Sequence, residues 1–146
     1  MPVSDFYRSF WDHMATVEDG LVPNPRTRHY GPSSVGWQDI QVYGGFKQKY
    51  ASEQAGSMRD VVVQFYTNKR NEDAWERLMD RVRRAPPTIP ESKIVFDLDA
   101  GDNDVAAQVL WVHRRISPSD QRLSIPALAA WMAPAWRTLA QYAEGK

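Results

Sequence analysis

Apolar residues recur along this chain with two different periods, and the changes of period divide it into elements. Phe6, Phe10, Trp11, Met14 and Val17 fall at helical spacing, with Ser4 ahead of them as an N-cap and Gly20 behind as a stop, which predicts an amphipathic helix over residues 5–18. The stretch from Pro23 to Pro32 carries three prolines, which lack the amide donor that helices and central strands require, and it reads as a connecting loop. The period then shortens to two. Residues 35–43 read as a strand, Gly44-Gly45 as a tight hairpin turn, and residues 46–50 as the returning strand, with Phe46, Gln48 and Tyr50 on one face and Lys47 and Lys49 on the other. Residues 58–67 are rich in β-branched and aromatic side chains, Val61, Val62, Val63, Phe65 and Tyr66 among them, and predict a central strand.

Helical spacing returns with Ala74, Trp75, Leu78, Met79 and Val82, preceded by Asn71 as an N-cap and by Glu72 and Asp73, whose charges suit a helix start. Arg81, Arg83 and Arg84 suit its end, and Pro86-Pro87 terminates it. Residues 93–99, with Ile94, Phe96 and Leu98 on one face, and residues 105–115 read as two strands around a turn at Ala100-Gly101-Asp102-Asn103. After a loop at Ser117-Pro118-Ser119-Asp120, the spacing of Ile125, Leu128, Ala129, Trp131, Met132, Ala135, Trp136, Leu139 and Tyr142 predicts a terminal helix, which Pro134 is expected to kink or split. The order α-β-β-β-α-β-β-α belongs to the α+β class: a mainly antiparallel sheet of about five strands with three helices, in one domain spanning 1–146.

Composition narrows the functional classes. With 146 residues, 42% of them apolar and 12% aromatic, the chain can build one substantial core. Its 18 basic and 18 acidic side chains cancel, so any nucleic-acid contact must come from a local patch rather than a global field. The absence of cysteine excludes disulfides, thiolate metal sites and cysteine nucleophiles, and fits a reducing compartment. No leader-like start and no run of about eighteen apolar residues occur. The expectation is a cytoplasmic protein with no membrane contact and no cofactor.

Candidate chemistry is sparse. Asp97, Asp99, Asp102 and Asp104 invite a calcium-loop reading, but Gly101 stands fifth rather than sixth from Asp97 and Gln108 stands where the bidentate carboxylate is needed, so an acidic turn is the better account and no metal is expected. Arg77, Arg81 and Arg84 lie at i, i+4 and i+7 on one helix face and are candidates for an anionic partner, although Glu72, Asp73, Glu76 and Asp80 are interspersed. Lys47 and Lys49, sharing a hairpin with Trp37, Tyr43 and Tyr50, form a second candidate, in which Trp37 and Tyr50 supply stacking surfaces. The other tryptophans fit core positions. No catalytic motif occurs; His113, beside Arg114 and Arg115 at a strand end, is the histidine best placed to serve a site. A metal-dependent hydrolase or nuclease would have to assemble from Asp97, Asp99 and His113, or from Asp60 with Lys69.

The opening helix with Phe10-Trp11, the segment Gly36-Trp37-Gln38-Asp39-Ile40, the strand ending Gln64-Phe65-Tyr66, the helix Ala74-Trp75-Glu76-Arg77-Leu78 and the terminal helix around Trp131 together resemble an uncharacterised bacterial domain that follows PD-(D/E)XK nuclease-like regions in restriction and phage-defence proteins. The resemblance runs from about Asp5 to Tyr142 and carries over no functional residue. It implies a non-enzymatic accessory module or modulator of a defence complex, with nucleic acid or a protein of that complex as its partner and the nuclease residues in a neighbouring domain.

Overall fold

The spacing of the first apolar stripe produces a helix, α1 (Val3–Val17), in which Phe6, Phe10, Trp11 and Met14 are each at most 1% exposed. A computed structural model describes residues 3–18, 35–37, 40–47, 58–69, 73–98 and 106–143. After α1 come the strands β1 (Val35–Trp37), β2 (Ile40–Lys47) and β3 (Arg59–Thr67), the helix α2 (Asp73–Arg84), the strands β4 (Lys93–Asp97) and β5 (Ala107–Ile116), and the helix α3 (Ile125–Ala143). All strand pairs are antiparallel, and the sheet order is β1-β2-β3-β5-β4. The α+β class with an antiparallel sheet and three helices stands.

The division into strands does not stand as the sequence suggested. Gly44-Gly45 is no hairpin turn: β2 runs through both glycines and pairs with β3 from Ile40 opposite Thr67 to Lys47 opposite Asp60. The strand expected over 35–43 is instead a three-residue β1 followed by the start of β2, and the two pair with each other. The strand expected over 46–50 shares only its first two residues with β2; residues 48–50 lie outside the described residues, as do Asn71, Asp99 and the turn at 100–103.

Alternation along the strands sorts the side chains onto two faces. Ile40, Val42 and Phe46 of β2, Val61, Val63 and Phe65 of β3, and Val109 and Trp111 of β5 join all three helices in one hydrophobic core. Phe46 is its aromatic hub, with Phe6, Tyr7, Phe10 and Trp11 edge-on around it at 4.9–6.3 Å between ring centroids. Such pairs each contribute about 0.5–1.5 kcal/mol beyond their buried area. The opposite face carries a smaller cluster of Tyr43, Val62 and Leu110, with Tyr66, Val95 and Val112 against it.

The terminal helix is unbroken from Ile125 to Ala143 despite Pro134. Its buried face holds Leu128, Met132, Trp136 and Leu139, and the Trp136 indole nitrogen donates to the Val42 carbonyl at 3.2 Å. Packing on the sheet thus holds the helix through the proline. No helix among the described residues is long and apolar enough to cross a membrane.

Candidate ligand-binding groove

Strand β5 carries one more residue than its partner. Val62 faces Val112 and Val61 faces Arg114, so His113 has no opposite number on β3. A bulge of this kind re-aims the side chains around it. The His113 ring lies flat on the indole of Trp131 in α3, with centroids 4.4 Å apart and planes 9° from parallel. Its Nδ1 is 2.8 Å from the Glu91 carbonyl oxygen. A carbonyl only accepts, so Nδ1 carries the hydrogen, and in the neutral ring Nε2 keeps the lone pair.

The stacked rings also fix the turn before β4. Trp131 Nε1 donates to the Pro90 carbonyl at 2.8 Å, and Ser92 Oγ donates to the Ile89 carbonyl at 2.7 Å. Three successive carbonyls, of Ile89, Pro90 and Glu91, therefore accept side-chain donors. Glu91 has a φ of 54°, a left-handed conformation that disfavours a residue with a Cβ by roughly 1–2 kcal/mol. The three hydrogen bonds offset that strain.

This turn, the bulge, the loop 117–124 and the first half of α3 enclose a groove of about 1240 Å³. Ile89, Leu128, Trp131 and Ala135 supply its buried apolar wall, while Glu91, Arg114 and Arg122 supply exposed polar groups. Arg122 is already occupied. Its Nε and one terminal nitrogen grip the two Asp120 carboxylate oxygens at 3.1 Å each, and its backbone N–H donates to the same group at 2.9 Å. These hydrogen bonds, with Arg114 nearby, hold the Asp120 carboxyl below its ordinary range. Arg114 is exposed and makes no hydrogen bond or ion pair among the described residues.

The start of α3 adds little to anion attraction. Ser124 Oγ accepts the Ala127 N–H at 3.2 Å, the Ser124 carbonyl accepts the Leu128 N–H at 3.1 Å, and Pro126 has no donor. Arg114 is thus the groove's available cation. Further along, Pro134 deprives the Ala130 carbonyl of its helical donor, at a position where both residues line the groove.

Of the residues singled out in the sequence, the described ones lie on two sides of the sheet. Lys47 sits on the smaller cluster's side of the sheet, its Nζ 4.7 Å over the Tyr43 ring. The helix arginines lie on α2, whose Trp75, Leu78, Met79 and Val82 pack into the core on the other side. Arg81 donates to the Tyr142 carbonyl and stacks 4.5 Å over the Tyr142 ring, while the Tyr142 hydroxyl donates to the Ala85 carbonyl at 2.7 Å. Arg81 is therefore a strut between α2 and α3. Arg84 pairs with Asp80 at 2.5 Å, and Arg77 is exposed. Lys49 and Tyr50 lie outside the described residues, and Trp37 is described in its backbone alone. Tyr43, which the sequence placed on the same hairpin as Lys47, is 8% exposed.

The described members of the hydrolytic set are not brought together either; Asp99 lies outside the described residues. Asp97 is opposite Gln108, whose Nε2 donates to its Oδ2 at 3.3 Å, on the face away from the helices, whereas His113 lies against α3. Asp60 lies near the start of β3 and Lys69 two residues beyond its end, past a bend at Asn68, so the length of the strand, roughly 20 Å, holds them apart. Among the described residues no three histidine or carboxylate side chains gather as a metal site. The pairing of His113 with Arg114 at a strand end was readable in the sequence. The bulge, the Glu91 turn and the exposed flank of Trp131's helix were not, because each depends on which elements adjoin. No protein-family model, curated protein or solved structure matches this chain.

Proposed function

We propose that this chain is a non-enzymatic binding module whose contact surface is the groove along α3, and that the groove receives a protein segment carrying apolar and acidic side chains. The observation that carries this reading is the groove's make-up: an apolar wall backed by Trp131, a turn fixed by three hydrogen bonds, and one arginine, Arg114, that is unpaired among the described residues. Aromatic residues and arginine are enriched at the centres of protein interfaces; here Arg114 is the accessible one, and Trp131, 7% exposed, backs the wall. Nucleic acid instead needs several cations along one track, and here Arg81 and Arg84 are engaged while Lys47 faces the other side of the sheet. The resemblance to accessory domains of restriction and phage-defence proteins makes a component of such a complex the partner in this proposal.

The test pairs two experiments. A random peptide library is selected on the purified protein with an Ala130→Trp variant as counter-target, and labelled single- and double-stranded DNA and RNA are titrated at low and near-physiological salt. Peptides rich in apolar and acidic residues that need an open groove, together with no salt-sensitive nucleic-acid binding, are expected. Nucleic-acid binding that Arg114→Glu abolishes would assign the groove to the competing partner.

A further inference from the structure

Strand β4 forms one edge of the sheet, paired with β5 and with no other strand among the described residues. Ile94 and Phe96 are 37% and 41% exposed, although most large apolar side chains of the fold are buried. Both border an apolar pocket of about 390 Å³ walled by Val82, Pro86, Pro87, Ile89 and Trp111, and the Arg83 guanidinium lies 5.8 Å from the Phe96 ring. An edge strand with neither proline nor bulge, and with apolar side chains in solvent, is a template for another strand. This edge shares only Ile89 with the groove along α3.

The strand's own sequence selects the occupant. Lys93-Ile94-Val95-Phe96-Asp97 is complementary to itself when reversed. We propose that the β4 edge joins the same edge of a second copy of this chain about a two-fold axis at Val95, so that two five-stranded sheets become one continuous antiparallel sheet. In that register Lys93 faces Asp97 of the second copy, Ile94 faces Phe96, and Val95 faces Val95. Opposite charges and apolar pairs directly across an antiparallel ladder each contribute about 0.2–1 kcal/mol. A shift of two residues loses both charge pairs and a shift of one places charged residues against the apolar face, so one register is selected. The interface is isologous and small, which makes association concentration-dependent.

Charge reversal tests the register directly. By sedimentation equilibrium the intact chain dimerises with rising concentration, whereas Lys93→Asp and Asp97→Lys, each facing like charge across the two-fold, are both at least about tenfold weaker. Mixing the two variants restores a dimer, because each then meets its opposite. Circular dichroism establishes that both variants are folded. A chain monomeric to high micromolar concentration, or a dimer indifferent to both reversals, would overturn the proposal.

Discussion

Gly45 illustrates how one residue type serves two purposes. A Cβ built at Gly45 would sit 2.5 Å from the Tyr43 hydroxyl and 2.8 Å from its ring carbon Cζ, so the missing side chain makes room for the Tyr43 ring two residues earlier in the same strand. Gly-Gly between alternating residues is also one of the pairs that two-residue hairpin turns favour, which is why the sequence pointed to a turn there. The buried Tyr43 ring has little room to withdraw. Gly45→Ala is expected to destabilise the fold by about 1–3 kcal/mol in urea denaturation. Asp60 offers a second residue-scale test. Burial lifts its carboxyl above the ordinary aspartate range, while Arg115, 3.5 Å away, pulls it back. The native state therefore holds a proton that the unfolded chain has already released, and stability falls as pH rises through that interval. Asp60→Asn removes this titration, so the variant should gain stability relative to the unmodified chain as pH is raised from about 3 to about 7; a parallel pH profile would contradict the assignment.

At the scale of elements, strong periodicity was legible and irregularity was not. The stripe through Phe6, Phe10, Trp11 and Met14 placed α1 within two residues of its start at Val3, and the valines of 61–63 placed β3 just as closely. The short β1 and the extra residue at His113 leave no such pattern, since a bulge is a relation between two strands rather than a composition of one. Pro134 shows the opposite case. Local preference called for a kink or a split, and the split does not occur: burial of Leu128, Met132, Trp136 and Leu139 along one side holds the helix continuous. Because the missing hydrogen bond is still missing, Pro134→Ala should raise stability by about 1–3 kcal/mol in thermal or urea unfolding.

For the whole molecule, the balanced charge already argued against a protein that binds nucleic acid through a broad positive field; on the one helix face that suggested a local patch, Arg81 is tied to Tyr142 and Arg84 is paired with Asp80, while Arg77 is exposed. The groove was only half legible. His113 and Arg114 could be named from the sequence, but Trp131 and Glu91 join them only through the stacking and the hydrogen bond that His113 makes in the fold, and Arg122 through the loop that leads from β5 into α3. The most direct measurement is the affinity of a selected peptide, read by fluorescence anisotropy, for the intact chain, Ala130→Trp and Arg114→Glu. Losses of at least about tenfold in both variants, with unfolding midpoints unchanged, are the result expected of a groove with an apolar wall and one arginine anchor; equal affinity across all three proteins would show that binding occurs elsewhere.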